Sequence, residues 1–529
     1  MPSFDVPPFD VPPFDAIVIG GGTNGLAAAH RLQSAGRKVL VLESGEVAGG
    51  AAVAQDFAPG FRTPGLAHIA NMIDPRVMEG MGLGRHGLGF VSSCLSSTAL
   101  SPTGDHLVLE GAAGAVLKGS VTDADRKSWA ALRKQLLAFA GVLAPFRAIT
   151  APRIAKGVGN DYVKLAKLGL GVRMLGKADF REFLRMILIN VYDVLNDELS
   201  DKRLKGLLAF DATLGSWLGP RSPNSLILLL NRLAGEASGQ RGALALPKGG
   251  MGAVAAAMVT AATVSGVTLR TGAAVESRII EDDRAGGVRR AGGEELRAAT
   301  LISAISPKTT FLTLVGPRHL DAGFVNRIRN VKSRGGAAKL HLALKGTPDF
   351  RGADLKSRLV IAPSETEVEL AYNAVKYGEV PARPVMEIIL PSAHEPDFAP
   401  DGQHVLSAVV QFAPHAPKGD PDAIRAECLR NTLGILKEYA PGIGSLVSHA
   451  ELLMPYDIEA KYGMVGGNWH HGELSVEQML FLRPMAGIAQ YSTPIKGLWL
   501  AGAGSHPGGG ISGASGWNAA ERIIKEGRA

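Results

Sequence analysis

Between residues 14 and 43 the chain reads FDAIVIGGGTNGLAAAHRLQSAGRKVLVLE. Four apolar residues, Ala16-Ile17-Val18-Ile19, form a run typical of a strand buried on both faces. Gly20-Gly21-Gly22-Thr23-Asn24-Gly25 follows and fits G-x-G-x-x-G. Ala27, Ala28, Leu32 and Ala35 continue at helical spacing to a stop at Gly36, and Lys38–Leu42 is a second strand running into Glu43. Strand, glycine turn, helix, strand and terminal acid occur in the order a dinucleotide requires. The glycines (Gly20, Gly22, Gly25, with Thr23 and Asn24 between) let a pyrophosphate approach a helix N-terminus, and the acid takes ribose hydroxyls. This module fixes an α/β fold with a Rossmann-like parallel sheet.

The fingerprint alone does not separate NAD from FAD. After Glu43 come Ser44 and, slightly further on, Gly49-Gly50-Ala51, a second place where bare backbone could run beside an extended FAD. A second G-x-G-x-x-A at Gly250–Ala255 lacks both a preceding buried strand and an acid ending the next strand, so no separate NAD domain is expected. Near the far end, GAGSHPGGGISGASG (502–516) packs seven glycines into fifteen residues, between an apolar run at 498–501 and a helix-like segment at 518–525. Glycine at that density weakens any element it occupies, so a close approach of the backbone is expected there.

Bulk properties narrow the class further. The 529 residues exceed one simple core and imply two domains, and 46% apolar with 20% charged residues is a globular composition. Cys94 and Cys428 stand far apart with no CxxC, which excludes a disulfide scaffold, a cysteine-ligated zinc site and a dithiol pair. A reducing, cytoplasmic setting is the expectation. No basic-then-apolar leader and no run of about 18 apolar residues is visible. The net charge of +7 is scattered over most of the chain, so nucleic-acid binding is not expected. The exception is residues 147–185, with nine Lys/Arg against three Asp/Glu mixed with apolar residues. A peripheral membrane contact is one reading of it, a solvated helix face the other. Residues 1–13 carry an FDVPP repeat whose proline pairs cannot join a central strand, and they read as a flexible tail.

Taken together, the Gly20–Gly25 loop, Glu43, Gly49-Gly50 and the C-terminal glycine block resemble the phytoene desaturase-like flavoproteins. Nearest is the branch holding the CrtO-type carotene ketolases and the pyridine nucleotide-disulfide oxidoreductase domain-containing protein 2 group. Pro247–Gly252, Gly466-Gly467-Asn468, His471-Gly472, Arg483-Pro484 and Gly497-Leu498 extend the likeness. The resemblance implies an FAD-binding domain in separated segments (14–104, 241–319, 481–529) with an interleaved α+β substrate domain (105–240, 320–480). It implies that the Val275 backbone meets the adenine end of FAD, and that Gly502, Gly504 and Gly513 pass close to the flavin with Ser505 near its ribityl or phosphates. The activity it implies is an FAD-dependent dehydrogenation of a lipophilic or amphipathic substrate, in its family-weighted version a carotenoid-type desaturation, isomerisation or ketolation; because no second nucleotide fold is apparent, oxygen or a quinone is the expected electron acceptor. An amine or amino-acid oxidase and a non-catalytic lipid-binding protein of the same fold are the alternatives. His506 and His471 are the candidate proton-handling residues. His470 and His471, if in a strand, point to opposite faces, and no metal site is expected. His470 and Trp517 depart from the family pattern, which puts in doubt any substrate carried over from one relative.

Overall fold

The computed structural model describes residues 13–153, 159–281 and 283–527. The repeat-bearing tail up to residue 12 lies outside the described residues. The expected module is present. Ala16–Ile19 and Val39–Leu42 are fully buried parallel strands flanking the helix Thr23–Gln33. Three further strands join them in one five-stranded parallel sheet, ordered 268–270, 39–42, 16–19, 300–303, 498–500. The sheet therefore collects strands from the two ends and the middle of the chain.

Small residues let its helices close in. Ala27, Ala28 and Ala29 of the first helix pack against the alanine-rich helix Met251–Val264 and the last helix, Ala514–Glu526. At Gly516 an added Cβ would lie 1.8 Å from the Asn24 carbonyl oxygen, so only glycine permits this crossing. The second glycine motif, Gly250–Ala255, opens the helix 251–264 inside this same unit, behind a two-residue strand paired antiparallel to Phe90–Ser92. It starts no second nucleotide fold.

The other large element is an eight-stranded mixed sheet, ordered 447–453, 337–344, 404–411, 385–389, 358–361, 97–99, 107–110, 116–118. Its pairs are antiparallel except Arg358–Ile361 with Ser97–Ala99, which run parallel. Ser97–Ala99 was expected in the FAD-binding segment ending at 104. Its hydrogen bonds place it in this second sheet instead. Strand alternation divides the sheet's faces. Leu340, Leu342, Ile388, Leu406 and Leu359 pack with Cys428, Ile435 and Leu436 of the helix Pro421–Tyr439. The neighbouring positions Lys339, His341, Arg358, Glu387 and Ser407 turn to the other face and are all buried. Buried charges on one face of a sheet are costly unless paired, so that face marks where chemistry is concentrated.

Candidate functional site

A cavity of about 440 Å³ connects the two sheets. Ten residues expected at the cofactor line it: Gly20, Gly22, Thr23, Asn24, Glu43, Ser44, Gly49, Gly50, Ala51 and Val275. Their geometry suits a dinucleotide. Gly22 caps the first helix without a side-chain hydrogen bond, so first-turn N–H groups lack a side-chain cap facing the cavity. An added Cβ at Gly22 would meet nothing nearer than the Gly50 Cα at 4.0 Å, whereas one at Gly25 would lie 2.0 Å from the Gly20 carbonyl oxygen. Gly25 therefore serves the turn itself and does not line the cavity. The Gly21 N–H donates to Glu43 Oε2 at 2.7 Å and the Gly45 N–H to Oε1 at 2.8 Å, which fixes the carboxylate at the end of its strand.

The C-terminal glycine block is arranged differently from expectation. Ala503, Gly510 and Ile511 line the cavity, but Gly502, Gly504, Ser505 and Gly513 do not. The three glycines are needed for contacts within the protein. A Cβ at Gly502 would sit 2.7 Å from the Ala304 oxygen, at Gly504 2.5 Å from Pro307 Cδ, and at Gly513 2.9 Å from Val77 Cγ1. The block is thus a densely folded floor that shows only part of its backbone to the cavity. The last helix does begin here, with Ala514, Ser515 and Gly516 buried, and its first turn is capped from within the protein: Ser512 Oγ accepts from the Ala514 N–H at 3.2 Å and Asn24 Oδ1 from the Gly516 N–H at 3.5 Å.

His471 lines the cavity, and so does His470. Residues 469–472 form a turn rather than a strand, with His471 at φ +56°, and the turn brings both rings to one cavity. Their expected separation to opposite faces is corrected by this turn. Burial, then Arg483, lowers His470 to about 3 and His471 to about 4, so both are neutral at pH 7. His470 Nε2 accepts from Trp469 Nε1 at 3.0 Å, and Nδ1 of each histidine is buried without a partner. Arg483 organises the turn. Its guanidinium donates to the carbonyls of His470, Gly472, Glu473, Gln478 and Ala503, tying the histidine turn to the glycine block.

His506 is not in the cavity. Its two ring nitrogens lie 3.0 Å from the Leu480 oxygen and 2.7 Å from the Phe146 oxygen, and burial holds it at about 4. A neutral imidazole donates to only one of these carbonyls and lies against the other, so His506 links segments and is not a proton carrier for the cavity. Trp517 also lies elsewhere, covering Gly80 with Arg31 over its ring.

Sequence reading missed the charged face of the large sheet. Glu387, 3% exposed, accepts from Arg358 Nε at 2.6 Å through one oxygen and meets His68 Nε2 at 3.1 Å through the other. Although burial opposes ionisation, Arg358 and His68 hold this carboxyl well below the usual range. Arg358 also donates to Asp211 at 2.5 Å and to Ser97 Oγ at 3.3 Å. His68 is neutral because burial and the neighbouring Lys339 lower it to about 4. Lys339 is fully buried beside cavity-lining Val409 in register, its ammonium has no hydrogen-bond partner, and burial lowers it to about 7. The available signal was the alternation Lys339-Leu340-His341-Leu342 inside an otherwise apolar strand. A period-two pattern with charged residues at the inward positions marks a functional face.

A parallel sheet with a glycine turn, an acid ending its second strand and a cavity running on into a second, charge-bearing sheet is the architecture of a Rossmann-type flavoprotein. The sequence profile of flavin containing amine oxidoreductases matches residues 193–524, and that of NAD(P)-binding Rossmann-like domains matches residues 18–81. The chain belongs to the flavin containing amine oxidoreductase family. It is an FAD-dependent oxidoreductase. Pyridine nucleotide-disulfide oxidoreductase domain-containing protein 2 of Rattus norvegicus is 30% identical, over 97% of this chain and 93% of that protein. A phytoene desaturase (neurosporene-forming) of Cereibacter sphaeroides is 27% identical over 62% of this chain and 61% of its own length. The solved structure of a putrescine oxidase triple mutant superposes with TM-score 0.62 at 15% identity, covering 98% of this chain and 99% of that one, a likeness of fold.

Proposed function

We propose that the protein removes a hydride and a proton from a lipophilic or amphipathic substrate, forming a C=C bond. The observation that carries this reading is the continuity of the main cavity. At one end it is lined by the dinucleotide loop, and it continues between Leu66, Ile69, Leu214, Leu228, Val409 and Met464. When bound, FAD supplies a two-electron acceptor that takes hydride at N5. The chain's own residues do the rest. Glu43 would take the ribose hydroxyls, the Gly22 turn and first-helix N-terminus the pyrophosphate, and the Val275 backbone the adenine end. The apolar walls exclude water and orient the chain of the substrate. His470 and His471 line the cavity with neutral imidazoles and are the candidate proton acceptors. A relative named as a phytoene desaturase supports a hydrocarbon-like substrate. An amine substrate is less well served, because Asp211 and Glu387 on the cavity wall are both committed to arginine.

The reoxidant is proposed to be oxygen or a quinone. A contact with an anionic membrane surface is proposed through the helices Gly159–Arg173 and Lys177–Met186. There Leu170 is 60% and Met174 78% exposed, alongside exposed Val163, Leu184 and Leu188 and the basic side chains of Lys167, Arg173, Lys177 and Arg181. No helix among the described residues is long and apolar enough to cross a membrane.

The test is the visible spectrum of the purified protein followed by anaerobic reduction. Flavin bands that persist with NADPH and bleach with a polyene or long-chain substrate are expected. Protein that stays colourless after reconstitution with FAD refutes the reading.

A further inference from the structure

Where the helices Lys202–Thr213 and Leu226–Leu233 meet the strand Arg358–Ile361, two unequal arginines flank Asp211. Arg358 is saturated: its donors meet Glu387, Asp211 and Ser97. Arg232 is not. It approaches Asp211 only at 3.5 Å, and its guanidinium makes no hydrogen bond among the described residues. Asp211 and Arg232 both line the main cavity and also a smaller one of about 60 Å³, so they form the partition between the two. Asn231, beside Arg232, lines the main cavity as well. Its Oδ1 accepts from Arg147 at 2.8 Å, which fixes the amide with its NH₂ left to donate.

The charges on this wall balance. Two guanidiniums, Arg358 and Arg232, face two carboxylates, Asp211 and Glu387, while His68 and His341 are held neutral by burial. What the wall has in excess is donors: the Arg232 guanidinium and the Asn231 amide are unspent. Unspent donors that include a guanidinium favour a planar anion that accepts two hydrogen bonds.

We propose that Arg232, with Asn231 Nδ2, forms a carboxylate subsite that anchors the non-reacting end of an amphipathic acid. Asp211 acts as a positioning residue, pinned by Arg358 and in turn limiting where the Arg232 fork can point. This rests on the reading of the cavity as a substrate chamber and specifies its substrate class: a lipophilic chain ending in a carboxylate, rather than a pure hydrocarbon.

The experiment uses the FAD-loaded full-length protein, with flavin content established first from its spectrum. Dodecanoate, dodecanol and dodecylamine are titrated separately by calorimetry and by flavin difference spectra. Dodecanoate is expected to bind about 10- to 100-fold tighter than dodecanol, the range of a charge-assisted bidentate pair. Arg232→Gln should remove that preference while leaving dodecanol affinity unchanged, and Arg232→Lys should keep part of it. Should Arg232→Gln fail to load flavin, Asn231→Leu is used and should reduce the preference severalfold. Equal affinity for acid and alcohol, preference for the amine, or a carboxylate preference that survives Arg232→Gln overturns the subsite while leaving the apolar chamber intact. Binding of none of the three by flavin-loaded protein overturns both.

Discussion

Replacing Lys339 with methionine should stabilise the protein at neutral pH. The side chain is fully buried, its ammonium has no hydrogen-bond partner, and burial lowers its pKa from 10.5 to about 7. Each unit is worth 1.36 kcal/mol, so the folded state bears a penalty of about 5 kcal/mol for charging this group. Methionine has nearly the same volume and no charge. Glu387 keeps Arg358 and His68, so the substitution orphans no carboxylate. The sign follows from proton counts. Below about pH 7 both folded and unfolded chains hold the proton, and the penalty is fully present. Between about 7 and 10.5 the unfolded chain binds the extra proton, so wild-type stability rises with pH relative to the variant. Above that window both are neutral and the difference vanishes. With an unfolding entropy of about 2.1 cal/mol/K per residue, about 5 kcal/mol over a chain of this size corresponds to roughly 4 °C in Tm. Thermal unfolding of both proteins from pH 6 to 10, followed by circular dichroism, checks this. A variant less stable than wild type at pH 7, or a gap that does not change with pH, refutes the reasoning.

Other expectations are as direct. Gly22→Leu should fold, because space is open at that Cβ, yet retain at most a trace of flavin; Gly25→Ala should fail to fold, and a yellow Gly22→Leu protein contradicts the assigned pyrophosphate approach. His506→Ala should lose about 1–3 kcal/mol of stability from the buried carbonyl it leaves unpaired while keeping flavin and its reduction rate within a few-fold. A large loss of reduction rate in a stably folded His506→Ala protein returns that histidine to the chemistry. Leu170→Glu with Met174→Glu should weaken co-sedimentation with phosphatidylserine vesicles by about tenfold or more, and unchanged binding removes the proposed membrane face.

The nucleotide-binding half was legible because its information is local. Strand, turn and helix from Ala16 to Gln33 obey spacing rules that hold whatever surrounds them, and Glu43 follows at the end of the next strand. The glycine block was legible as a close approach, but not in its direction. A missing side chain says that something is near, and at Gly502, Gly504 and Gly513 that something is the protein itself. His506 looked reactive from its place in the chain, and only the two carbonyls that hold it show otherwise. The charged face built from residues 68, 211, 232, 339, 358 and 387 was legible in no single stretch. Each of these residues is ordinary in its own segment, and the cluster arises where strands, two helices and a loop distant in sequence meet. Only Lys339 and His341, alternating with leucine, left a local trace.

The parallel sheet has a consequence for how the protein comes into being. Its central strand, Ala16–Ile19, takes one neighbour from residues 39–42 and the other from 300–303, and the sheet is completed only by 498–500. The helix that seals it, Ala514–Glu526, lies far along the chain from the first glycine turn. That turn must therefore wait, half-assembled, until segments distant in sequence have come in to pair and pack. A bound flavin would act as a clasp between the early and the late segments of this sheet.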